Sequence, residues 1–93
     1  VPPHLVPYKA MARAAAALRV KGVLATAAVG SLVGDWPPGT LVVPNDLLDL
    51  TYRNLTLYDK TVHHQDVSEP FHPAVRSALL DAVGPDRIDG GVY

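Results

Sequence analysis

His63, His64, Asp66, Glu69 and His72 fall within a ten-residue window of this chain. That density of titratable groups raises a metal centre as the first chemistry to weigh. Their spacing fits no metal motif, and adjacent histidines on an extended segment point to opposite faces. The expectation is therefore loop histidines and no metal, with one of the His63–His64 pair free to face a pocket. Asp35, Asp46 and Asp49 form no close carboxylate pair, and turn-making or loop solvation is the commoner use of such residues. Neither the GxGxxG nor the GxxxxGK[ST] phosphate loop occurs. Trp36, ahead of Pro37-Pro38-Gly39, reads as a partly buried loop anchor. Asn54-Leu55-Thr56 has the pattern of a glycosylation sequon, but nothing in the sequence indicates secretion.

The remaining candidate is a run of small residues, "TAAVGSL" (26–32), behind the apolar stretch Gly22-Val23-Leu24-Ala25. In one reading, small side chains let a helix pack closely on a strand end while Gly30 supplies a positive φ for the turn. In the other, the run is the floor of a site. The C-terminal edge of a parallel strand is where α/β proteins place ligands, and free backbone N–H groups there can hold an anion. Chemistry alone leaves both open.

These residues need elements to position them. Pro2, Pro3 and Pro7 predict an extended start over 1–7. "YKAMARAAAALRVK" predicts a helix over 8–21, with an apolar stripe of Met11, Ala14, Ala15 and Leu18, Lys9 and Arg13 on another face, and Gly22 as the stop. "GVLATAA" (22–28) lacks alternation and predicts a strand covered on both faces in a parallel sheet. A second strand is expected at Leu41-Val42-Val43, with Pro44 ending its regular pairing or placing it beside an irregular segment. A polar excursion covers 52–66. A second helix follows, with Pro73 at its first position, Val75, Leu79 and Val83 on one stripe, and Gly84-Pro85 as the stop. Gly90-Gly91-Val92-Tyr93 reads as the start of a further strand. Helix, strand, strand, helix, strand is an α/β order.

Composition limits the alternatives. The 93 residues are 48% hydrophobic and 18% charged, with eight Lys and Arg against nine Asp and Glu. This is globular, with no basic footprint for nucleic acid and no polybasic membrane patch. No apolar run approaches the roughly eighteen residues of a membrane span, and no signal peptide is visible. The absence of cysteine excludes a disulfide framework. The chain opens on Val1-Pro2-Pro3 without Met and stops at a strand-like tail, so residues 1–93 are expected to be one partial α/β domain, an internal piece of a longer protein.

The order of motifs adds a resemblance. "PYKAMARAAAALRVKGVLATAAVGSL", "PPGTLVVPNDLLDLT" and "HHQDVSEPFHP" together resemble the trimeric purine nucleoside phosphorylase family, and most nearly its branch acting on 5′-methylthioadenosine or methylthioinosine. The likeness covers about residues 3–83; no one motif decides it, but four in the right order are fairly specific. It implies the central part of the nucleoside phosphorylase fold, a mixed, largely parallel sheet flanked by helices. It also implies a cytoplasmic homotrimer, and phosphate-dependent cleavage of an N-glycosidic bond to a free purine and a ribose 1-phosphate derivative. Purine nucleoside and inorganic phosphate would be its substrates, with no further cofactor. A non-catalytic nucleoside- or nucleotide-binding α/β module is the alternative.

Carried over residue by residue, the resemblance places phosphate at Ala27 and Ala28, the latter through its backbone N–H. It matches His64 to the family histidine that reaches the sugar, typically that of a neighbouring subunit, leaving His63 facing elsewhere. The matched sequence departs from the family at several points. Ala27 stands where Ser or Thr is usual, so a hydroxyl donor is missing; Thr26, next door, should point to the opposite face. Met11 replaces the Asn of the helix start, Thr40 the Asp after Pro-Gly, and Asn45-Asp46 the Asp-Gln pair. The family's glycine-rich phosphate loop and its purine-reading segment are not in these 93 residues, so the fragment alone is expected to be inactive.

Overall fold

The computed structural model describes residues 1–54 and 56–93. The sequon Asn54-Leu55-Thr56 and the excursion over 52–66 both include Leu55, which lies outside the described residues. The chain divides into two compact units, Val1–Thr26 with Thr51–His64, and Ala27–Leu50 with Gln65–Tyr93.

The first unit contains helix α1 (Tyr8–Ala17) behind a single 3-10 turn at Pro3–Leu5. That turn corrects the extended start expected over 1–7. Proline is tolerated at the first position of a helical turn because its missing N–H has no partner there, and the Leu5 N–H closes the turn on the Pro2 carbonyl at 2.9 Å. Alanine-rich sequence makes α1 helical, but the helix ends well before Lys21. Its C-terminus is a Schellman motif: Val20 N–H reaches the Ala15 carbonyl at 3.3 Å and Arg19 N–H the Ala16 carbonyl at 3.0 Å. Arg19 takes the left-handed position at φ 51°, so it, and not Gly22, stops the helix.

The stripe Met11–Leu18 is exposed apart from the half-buried Ala15, and the opposite, basic face carries the contacts. Lys9 Nζ lies 2.7 Å and Arg13 Nη2 3.5 Å from the Asp59 carboxylate. Arg53 stacks its guanidinium over the Tyr8 ring at 5.5 Å. Among the described residues of this unit none is buried.

The second unit is a β-α-β arrangement: β1 (Leu41–Val43), α2 (Pro73–Val83) and β2 (Arg87–Asp89). The strands pair in parallel, Leu41 with Arg87, Val42 with Ile88 and Val43 with Asp89, and α2 packs on both. The core sits where α2 meets β1, at buried Leu80 and Val43. Val75, Leu79 and Val83 flank it half-buried, as the helical stripe predicts. Pro73 occupies the start of α2, and Gly84, at φ 81°, ends it ahead of Pro85.

Pro44 interrupts the pairing of β1 as expected, but pairing then resumes. Asn45 N–H reaches the Gly91 carbonyl at 3.1 Å, Tyr93 N–H the Asp46 carbonyl at 3.0 Å, and Leu48 N–H the Tyr93 carbonyl at 2.8 Å. Gly90 and Gly91 sit at φ 107° and 105°, the left-handed region that glycine adopts freely. The strand-like tail is thus an irregular continuation of β2.

One predicted strand is absent. Residues 23–31 carry neither helix nor strand, and Val23, Leu24 and Val29 are exposed. An apolar run becomes a buried parallel strand only when neighbouring strands hydrogen-bond to it, and among the described residues the sheet consists of β1 and β2 alone.

Candidate functional site

Ala27 and Ala28 lie in this unpaired run, both exposed, and neither N–H has a hydrogen-bond partner among the described residues. Their backbone donors are therefore available, which is the property an anion-holding segment needs. Gly30 does not have the positive φ expected of it, and a Cβ there would meet nothing within 4 Å. The turn is made instead by Ser31: its Oγ accepts the Val33 N–H and donates to the Val33 carbonyl, both at 2.9 Å. Trp36 N–H then closes on the Val33 carbonyl at 3.3 Å.

Downstream, Pro38 and Gly39, at φ 91°, form the centre of a type II turn. The Thr40 N–H closes it on the Pro37 carbonyl at 3.1 Å, and the Thr40 hydroxyl donates to the same oxygen at 2.7 Å. Thr40, standing where the resemblance expects Asp, is thus committed to the turn that delivers β1. Trp36 is half-buried, its ring 3.8 Å from where a Cβ on Gly91 would be.

At the far end of β1 the dominant side chain is Arg76, which sequence reasoning passed over. From the first turns of α2 its Nε donates to the Pro44 carbonyl at 3.0 Å and its Nη2 to the Val43 carbonyl at 2.9 Å, with the Asp89 carboxylate also accepting from Nη2. The signal was present: Arg76 is one helical turn before buried Leu80 on the same face, where a lone cation must find acceptors. Beyond this pin, Asn45 Oδ1 accepts the Gly91 N–H at 3.0 Å, and Asp46 caps its own neighbour through Leu47 N–H at 2.8 Å. Asp46 stands in an isolated parallel bridge with Val92 and not in a turn, which corrects the turn-making use expected of it.

The two adjacent histidines differ in environment. The His63 ring stacks on Tyr58, with centroids 4.1 Å apart and planes at 28°. His64 is exposed and makes no hydrogen bond, ion pair or ring contact among the described residues. Asp66 accepts both the Ser68 N–H at 2.9 Å and its hydroxyl at 2.6 Å, and these bonds hold its carboxyl below the ordinary range. Asp59 is lowered too, chiefly by the Lys9 hydrogen bond and then by the Lys9 charge. No group of three or more His, Asp or Glu among the described residues is arranged to hold a metal ion. One shallow hollow of about 270 Å³ is lined by Arg13, Leu57, Tyr58, Asp59, Lys60 and Thr61. Another, of about 410 Å³, is lined by Asp66, Ser68 and Glu69. Neither includes Ala27, Ala28 or His64. Among the described residues no helix is long and apolar enough to cross a membrane.

Comparison with known proteins gives these features a context. A probable S-methyl-5′-thioinosine phosphorylase of Methanothermobacter thermautotrophicus is 46% identical over 99% of the chain. An S-methyl-5′-thioadenosine phosphorylase of Pyrobaculum aerophilum is 40% identical over 99% of it. A probable 6-oxopurine nucleoside phosphorylase of Thermococcus kodakarensis is 42% identical over 88%. The chain covers 32%, 35% and 34% of those proteins, so it spans about a third of the length of the relatives it matches. No solved structure gives a match. The model of the phosphorylase superfamily matches residues 1–93 from end to end, and the chain belongs to that family.

Proposed function

We propose that these residues form the central part of an enzyme that cleaves a purine nucleoside with phosphate, 5′-methylthioadenosine or a close relative being its substrate. The observation that carries this reading is 40–46% identity, over nearly the whole chain, to relatives named as methylthioinosine and methylthioadenosine phosphorylases. In the reaction a phosphate oxygen bonds to C1′ of the sugar as the bond from C1′ to the purine nitrogen breaks. The electron pair and a proton go to the leaving purine. The transition state is an oxocarbenium-like sugar, so the protein's work is to position phosphate and to stabilise charge. The free N–H groups of Ala27 and Ala28 support a phosphate contact made by backbone alone. His64, unengaged and exposed, is the residue proposed to meet the sugar across a subunit boundary in a homotrimer. The proposed setting is the cytoplasm.

Full-length protein, given methylthioadenosine, methylthioinosine or inosine with saturating phosphate, is expected to release free purine and a ribose 1-phosphate derivative, followed by chromatography. No release from any purine nucleoside would overturn the reading. Ala27 favours one competing view, a non-catalytic binding module, because the hydroxyl donor of the family pattern is missing there. Ala27→Ser separates the two. The phosphorylase predicts a phosphate KM that is unchanged or lower, whereas the module predicts no phosphate binding in either form.

A further inference from the structure

Two histidines stand side by side, and something must decide which of them is presented. We propose that Tyr58 is a positioning residue for substrate binding, which it serves by holding His63 so that His64 is left to face the nucleoside. The proposal rests on the reading of His64 as a sugar-side residue.

The anchoring runs through a series of contacts on the first unit. Asp59 is fixed to the basic face of α1 by Lys9 at 2.7 Å and Arg13 at 3.5 Å. Tyr58, next in the chain, is tied locally by its N–H to Thr56 Oγ1 at 3.1 Å. Its ring, so placed, stacks on His63 with centroids 4.1 Å apart. Offset stacking of this kind orients a side chain as well as holding it. Residues 62–67 carry neither helix nor strand, so no regular element fixes the two imidazoles and side-chain contacts must do so. With His63 engaged by Tyr58, His64 is left with no hydrogen bond, ion pair or ring contact among the described residues. Lys9, Arg13 and Asp59 thus determine where the Tyr58 ring is, and the ring determines which imidazole is offered.

The test uses full-length protein and three variants, with KM measured separately for nucleoside and for phosphate. Tyr58→Leu keeps an apolar side chain but loses the ring, and is expected to raise the nucleoside KM roughly three- to tenfold, the scale of one aromatic contact. The phosphate KM should stay within twofold. Tyr58→Phe keeps the stack and should restore the wild-type nucleoside KM. His64→Ala should raise the nucleoside KM at least as much, and adding Tyr58→Leu to it should change nothing further, because both act through one group. If His64→Ala has no effect, the sugar-side reading of His64 fails. If His64→Ala acts while Tyr58→Leu does not, or the two effects add in full, the positioning role is overturned and the reading of His64 stands. A rise in both KM values with Tyr58→Leu, unrepaired by Tyr58→Phe, would make Tyr58 a merely structural residue and also overturn the proposal.

Discussion

Asp59 shows how much a single exposed side chain can organise. Its carboxylate receives a hydrogen bond and a charge from Lys9 and a second cation in Arg13, all from one face of α1. The hydrogen bond and the two cations favour the ionised form, so the carboxyl is held below its ordinary value in the folded chain. The sign of the linkage follows. A depressed folded value means that the contribution to stability is present above the unfolded value, about 4, and disappears as pH falls through the folded value. In urea unfolding of full-length protein, Asp59→Asn should therefore be less stable than wild type at pH 6. The gap should close below about pH 4; a gap constant from pH 6 to pH 3 would show that the ion pairs contribute nothing. Sequence reading placed Lys9 and Arg13 on one face but not the acid they meet. A helical period reveals which residues share a face, while a partner some fifty positions away lies outside any local pattern. The same limit applies to His63 and His64: no local pattern in the sequence pairs His63 with the Tyr58 ring on which it stacks.

Among the elements, α2 was the most legible because its signals are local and agree: Pro73 at the start, an apolar stripe, Gly84-Pro85 at the end. The run 22–28 was legible as apolar but not as a strand, since strand pairing depends on neighbours and not on its own residues. Helix α1 fell between these cases. Its alanines fix helicity, but its end is set by Arg19 adopting a left-handed conformation that composition assigns to Gly22. What joins β1, α2 and β2 is Arg76, a fork matched to two successive carbonyls. Removing it leaves the Pro44 carbonyl without its donor, whereas the Val43 carbonyl keeps the Gly90 N–H at 3.0 Å. Arg76→Met should then destabilise full-length protein by about 2 kcal/mol, the scale of a charged donor lost from a part-buried acceptor. The Asp89 side chain is 57% exposed, so Asp89→Ala should cost less than about 1 kcal/mol. Urea midpoints compare the two directly. Equal losses would mean that the ion pair, and not the carbonyl fork, is what holds α2 to the sheet.

At the scale of the whole chain, the balance of burial against chain entropy is the deciding quantity. Among the described residues only Val43 and Leu80 are buried, both in the second unit. Fully burying such a side chain contributes about 1.5–3 kcal/mol, while fixing each backbone residue costs about 1–2 kcal/mol. Met11, Leu18, Val23, Leu24, Val29 and Leu32 meanwhile remain exposed. Exposed apolar surface, where it is contiguous, marks a place where a partner or another part of the chain packs. The chain spans about a third of its phosphorylase relatives, and the remaining length is the cover we expect for α1 and the 23–33 run. The 93 residues expressed alone should therefore show a broad urea transition, weak near-ultraviolet dichroism and strong binding of the dye ANS, the signature of fluctuating packing. Full-length protein should unfold cooperatively and bind little dye. Covering by a second copy of the fragment predicts a different result, dye binding that falls and a transition that sharpens as fragment concentration rises. A sharp transition with no dye binding at low concentration would mean that these 93 residues are sufficient for a folded core, and that Val23, Leu24 and Val29 need no covering strand.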